Sequence, residues 1–388
     1  VNQLSVIAEQ TVVPYTAPPP WRVLTEVGYF AGLCALLGGL AVVLIAVLPA
    51  HRDHAQSVEG RERHTWAIFP VIGVAMLPLL YLQEAALAAR SGEFAFAHGL
   101  RPDVIGEFLT APKESGEWIA ESTLRLVQVV LLEGAALLAV AAGRRASRRL
   151  GWWALLVGVV GEVVVSVPTA FAGLVVDDWL KTVLTQVHIL GALVWLGGLG
   201  VLAALAVRSR GSASDAAWAG TWSRFSVMAM TAAGGILISG LWMSWQHVGG
   251  FGEFVTTPYG RFLLLKIVLV GVMLAAGGYN HVVLLPRIER SLRGGDVPTV
   301  RHAVRAHFPK VAAFEATVGI AVLFIVPFLS GSARKESGSG SAAPFDGRIL
   351  LIGVLLIATV LASFWATSRL AHAQARRPHL SSVPTVAD

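Results

Sequence analysis

Three side chains stand out for the chemistry that their types and spacing permit. His188 falls one turn into the apolar run QVHILGALVWLGGL (186–199), and Met243 and His247 stand four residues apart in GLWMSWQH (240–247). Imidazole and thioether together make a soft, neutral ligand set suited to Cu(I), and imidazole also accepts Cu(II). The chain holds one cysteine, Cys34, so it has neither a disulfide framework nor a CxxC metal site. The plainer alternative is that His188 is a packed polar residue, Met243 fills space, and His247 rests at the membrane interface.

Charged residues also fall inside apolar runs: Glu84, Glu121, Arg125, Glu133, Glu162, Lys266 and Glu315. A charge in a bilayer costs several kcal/mol, so each is expected to face the bundle interior and find a partner. Glu121 and Arg125 are four apart, the spacing of an ion pair along one helix. Glu133 and Glu162 fall near the middle of neighbouring apolar runs. They read either as carboxylates sharing a proton in a relay or as an ordinary inter-helix contact. Lys266 sits about a turn and a half into its run, where it can snorkel outward.

The elements that must position these groups are membrane helices. Of the 388 residues, 55% are hydrophobic and 14% charged, with a mean hydropathy of +0.66. A soluble domain carries about a quarter charged residues. The net charge of +6 is held in short Arg-rich loops and does not point to nucleic acid. Apolar blocks at 23–49, 66–89, 117–142, 151–175, 182–207, 223–247, 261–285, 311–330 and 348–369 predict an all-α polytopic bundle of about nine transmembrane helices. Arg-rich connections at 51–64, 143–149, 208–214, 286–305 and 369–377 alternate with poorer ones, which places the N-terminus outside and the C-terminus in the cytoplasm. Residues 1–20 form an extracytoplasmic lead-in without a recognisable signal peptide, and 21–150 a three-helix region with an outer loop at 91–116 that could hold a surface helix. Residues 151–331 form the core, 332–347 a flexible linker, 348–370 an added helix and 371–388 a cytoplasmic tail.

The run from about Leu174 to Leu329 resembles the copper resistance protein D (CopD) family. The resemblance lies in HILGALVWLGGL, RFSVMAM followed by ILISGL, TTPYGRFLLLK, NHVVLLPRI and FEATVGIAVL, in that order. It implies a multi-pass protein of the bacterial cytoplasmic membrane that moves copper, often beside a periplasmic copper-binding partner. His188 matches the family's candidate ligand. A second histidine that related sequences carry late in the preceding helix is missing here, where the chain reads VSVPTAFAG (165–173). Either Met243 and His247 substitute, or this member binds copper weakly or not at all. Among the other shared residues, Arg224 and Arg287 are expected to neutralise Glu315 at the inner helix ends, and Asn280 to tie helix ends by hydrogen bonds.

The reading is therefore a copper transporter with no catalysed chemistry, in which copper is met near His188 and moved inward. Two rivals stay open. One is an electron-transfer protein with b-type haem held by His188 and His247. The other is an accessory factor that delivers copper to a respiratory oxidase.

Overall fold

The computed structural model describes residues 14–53, 59–170, 176–208, 215–294, 298, 302–339 and parts of 351–369. Eight long helices carry the architecture: α1 Pro20–Asp53, α2 Arg63–Ser91, α3 Glu121–Arg145, α4 Arg148–Val164, α5 Val176–Arg208, α6 Asp215–His247, α7 Pro258–Ile288 and α8 Phe308–Phe328. Among the described residues no strand forms beyond an isolated bridge between Glu117 and Ala170. Large apolar side chains point outward: Val71, Val130, Leu156, Val227, Val268 and Ile320 are each half exposed or more. In a bundle of this length and composition that coat faces lipid tails.

Helix α1 is apolar on all sides and takes the centre. Leu33, Leu36, Leu40, Leu44 and Leu48 are fully buried along it. It packs against α2, α5, α6 and α8, so it joins the first three helices to the later ones. Two wide turns of π type, Cys34–Gly38 and Val43–Val47, interrupt its regular winding. The first lies where α1 crosses α5 at Gly38 and Gly197. A Cβ on Gly38 would come within 1.9 Å of the Leu193 carbonyl oxygen, so only glycine permits this approach.

Contacts at the two ends of the bundle follow the alternation read from the loops. Asp53 pairs with Arg224 at 2.7 Å, and Trp222 stacks on Phe308, all at the end assigned to the cytoplasm. At the other end the Tyr15 hydroxyl donates to the Phe328 carbonyl at 3.3 Å, and Arg334 donates to the Trp245 carbonyl at 3.1 Å.

Several expectations change. The fourth helix ends at Val164 and does not run to 175. Pro168 explains this, because it lacks an N–H and disfavours helix at the residue before it. The segment 332–347 is not a free linker over its first half. Ser332 caps the short helix Ala333–Ser337, which docks on the outer end. Residues 340–350 lie outside the described residues, and the described residues of the expected ninth helix, between 351 and 369, are helical. The outer loop at 91–116 does hold surface helices, Phe96–Gly99 and Pro102–Leu109.

Candidate functional site

Helix α5 presents His188 to α6 on a stripe of small residues. A Cβ at Gly191 would meet the Ala232 carbonyl at 3.1 Å, and one at Gly198 would meet Phe225 at 2.4 Å, so the stripe packs directly on α6. His188 Nδ1 lies 3.1 Å from the hydroxyl of Ser239, which is fully buried. That hydroxyl donates its one hydrogen back to the Gly235 carbonyl at 2.6 Å. The network therefore assigns the ring proton to Nδ1 and a lone pair to Nε2, the form in which imidazole ligates a metal. Gly240 leaves room beside the ring, since a Cβ there would stand 3.4 Å from His188 Cε1.

Met243 follows Ser239 by one helical turn, a rise of ~6 Å, and His247 by two turns, ~12 Å. The nearer of these two residues to the His188 level is therefore Met243. His247 is held at the rim: its Nδ1 donates to the Met243 carbonyl at 2.8 Å, and its ring stacks on Tyr259 with centroids 5.8 Å apart. Among the described residues, no group of three or more His, Cys, Asp and Glu side chains gathers for a metal ion. A His–Met set has different atoms and falls outside that description.

Lys266 was expected to snorkel outward. It is half-buried on α7, and its charge is felt at the His188 ring. No described carboxylate pairs with it.

The predicted carboxylates separate. Glu121 and Arg125 do pair, at 2.9 Å, and the Arg125 guanidinium also lies over the Phe108 ring, 5.5 Å from its centroid. Glu162 is buried, with the Tyr29 hydroxyl donating to it at 3.4 Å and Gln128 donating to that hydroxyl. Glu133 faces outward instead, so these two carboxylates cannot share a proton. Glu84 is buried beside this cluster and feels the charge of Arg125. Arg224 pairs with Asp53 and Arg287 is exposed, so neither neutralises Glu315. Glu315 is buried within α8 and hydrogen-bonded to the Trp195 indole. Asn280 ties no helix ends: its amide oxygen is buried without a hydrogen-bond partner.

Sequence reasoning missed Ser239, which meets His188, Tyr29 and Trp195, which meet Glu162 and Glu315, and Gln128, which donates to Tyr29. Ser239 stood in the quoted run ILISGL. A serine within a helix usually bonds its own preceding turn, so nothing in one dimension marks it as a partner for His188.

Outside the bilayer the Glu253 carboxylate accepts from the Gly249 amide at 2.6 Å, the Ser337 hydroxyl at 2.8 Å and the Ser339 hydroxyl at 2.6 Å. Burial alone would raise its pKa, but these hydrogen bonds outweigh it and hold the carboxyl below its ordinary range. Glu336 accepts from the Tyr259 amide at 3.1 Å, and burial pushes its carboxyl up.

The fold and its apolar coat define an all-α polytopic membrane protein with half-buried histidine between two of its helices. Within it, residues 219–329 match the model of the copper resistance protein D (CopD) family. The chain is also similar to the copper transport protein CutJ of Bacillus subtilis (strain 168), 30% identical over 237 residues, which make up 61% of this chain and 41% of that relative. The chain thus spans well under half the length of the curated relative it matches. No solved structure matches it.

Proposed function

We propose that this protein carries copper ions across the bacterial cytoplasmic membrane and receives them on the outer side at His188, with Met243 as the nearest soft companion and His247 at the rim. The observation that carries this reading is the His188–Ser239 hydrogen bond, which fixes a neutral imidazole between α5 and α6 with its lone pair on Nε2. A buried polar ring has a cost in the bilayer, and a ligand role supplies a reason for it. The match to the CopD family and the similarity to a copper transport protein support copper as the cargo. The protein then acts as a transporter without catalysed chemistry, and any periplasmic copper-binding protein or respiratory oxidase stands as a partner for the outer face.

The test is copper uptake into proteoliposomes loaded with a Cu(I)-responsive dye. His188→Ala is expected to abolish uptake while insertion and helix content stay unchanged. Uptake by His188→Ala equal to the unaltered protein would refute the role of this ring.

A further inference from the structure

A second constellation lies deeper in the same helices. A cavity of about 220 Å³ opens between α5, α6, α7 and α8, with Ser363 also at its wall; Ser226, Asn280, His281 and Glu315 are its polar lining residues on those helices, and Met230 adds a thioether. We propose that this cavity is an intramembrane site for a soft monovalent cation, Cu(I), held by the Glu315 carboxylate, the His281 imidazole and the Met230 thioether. This inference rests on the transport reading given above and adds a station on the path.

The first argument is charge. Glu315 is 2% exposed, and among the described residues no Lys or Arg forms an ion pair with it. The two arginines nearest in the sequence reading are engaged with Asp53 or exposed. The Trp195 indole donates one hydrogen bond to this carboxyl, and a bound cation would stabilise its ionised form through the remaining lone pairs. A single positive charge cancels a single carboxylate, whereas a divalent ion would leave one excess charge in a medium of low dielectric.

The second argument is the donor set. Nitrogen, thioether sulfur and oxygen around one cavity suit Cu(I) better than Na⁺ or Mg²⁺, which prefer oxygen alone. The His281 ring is oriented through its Nδ1, 2.8 Å from the Ser226 hydroxyl. The walls are aromatic, with Trp222 stacked on Phe308 at 4.9 Å, and aromatic faces favour cations.

The third is the backbone. Helix α7 widens into a π turn at Asn280–Leu284, beside the cavity. Such a turn has more residues per revolution than an α-helix, and it lets the adjacent Asn280 and His281 both line the space. The Asn280 amide oxygen is buried without a partner, a further acceptor for a cation or for its water.

Met230 stands nine residues before Ser239 on α6, a rise of roughly 13 Å. The cavity therefore lies below the His188 site toward the end that carries the Asp53–Arg224 pair. The two sites share α5, α6 and α7, so a cation released from His188 needs to pass about two to three helical turns of small and apolar residues.

The test titrates Ag(I), a redox-inert stand-in for Cu(I), into purified full-length protein in lipid nanodiscs against a competing chelator. The unaltered protein is expected to bind two Ag(I). Glu315→Gln and Met230→Leu should each weaken one of them by about 10- to 100-fold or more, a loss of the size seen for groups that support metal sites. His188→Ala should remove the other. If the unaltered protein binds one Ag(I), lost in His188→Ala and kept in Glu315→Gln and Met230→Leu, the inner site is refuted and the transport reading stands. One Ag(I) lost in Glu315→Gln and Met230→Leu but kept in His188→Ala would support the inner site and overturn the outer one. No bound Ag(I) at all would overturn both. Met230→Leu conserves volume and charge, so it stays informative where Glu315→Gln reduces folded yield.

Discussion

Gly38 on α1 and Gly197 on α5 meet backbone to backbone: a Cβ added to Gly197 would lie 1.9 Å from the Cys34 carbonyl oxygen and 2.9 Å from the Gly38 Cα. The contact fixes the depth at which α5 sits against the central helix. Gly197 is nine residues after His188, so the same contact sets the height of the imidazole. Gly38→Ala and Gly197→Ala are each expected to destabilise the bundle by about 1–3 kcal/mol or more, the range for overpacking a close contact. Gly200→Ala, at a position where a Cβ meets nothing within 4 Å, should be neutral. Thermal unfolding in detergent compares the three, and equal midpoints would refute the crossing.

Ser239→Ala is expected to weaken copper handling by about 10- to 100-fold without abolishing it, since it removes the partner of His188 Nδ1 and leaves the ring in place. Met243→Leu should weaken Cu(I) more than Cu(II), because the softer ion gains more from a thioether. Competitive titration with each oxidation state measures both effects.

Arg125→Leu should lower folded yield far more than Arg290→Leu. Arg125 pairs with Glu121, covers Phe108 and answers the buried Glu84, and an unpaired buried carboxylate costs about 3–5 kcal/mol. Arg290 bonds the Pro286 carbonyl of its own helix. Size-exclusion yield after purification decides the comparison.

The outer cap has a pH dependence with a defined sign. The folded-state pKa of Glu253 is held below its unfolded value, so its contribution is present above about pH 4.3 and is lost as pH falls through the lowered value. Glu336 is shifted upward, so its ionisation weakens the cap as pH rises through that raised value. The hydrogen-exchange protection of residues 245–259, relative to the intrinsic rate at each pH, should fall on acidification, and Glu253→Gln should flatten that acid limb. An unchanged acid limb in the variant would show that Glu253 is not the titrating group.

For orientation, cysteines placed at Gly250 should react with an impermeant thiol reagent from outside, and those at Ser147 and Arg208 should not, in a Cys34→Ala background. The reverse pattern would invert the bundle and move His188 to the cytoplasmic side.

The sequence by itself determined the helical class, the position of most spans and the two-ended arrangement of loops. Those properties come from the runs of apolar residues and the placement of arginines, and both act locally along the chain. It also determined that His188 faces protein, because a glycine stripe at helical spacing beside a polar ring marks a helix contact. Only the tertiary structure decided which helix that was and what met the ring. Ser239 is 51 residues away, and a serine that bonds its own helix carries no mark of a distant partner. The buried charges show the same division. Spacing along one helix was enough to find Glu121–Arg125, whereas Glu133 and Glu162 lie on different helices whose rotation about their axes is set by packing. That rotation turned Glu133 to the outside and left Glu315 beside Trp195 instead of Arg224 or Arg287. A one-dimensional pattern specifies which face of a helix is apolar. Which neighbour covers that face depends on close backbone contacts such as Gly38–Gly197, and these exist only once the helices have packed.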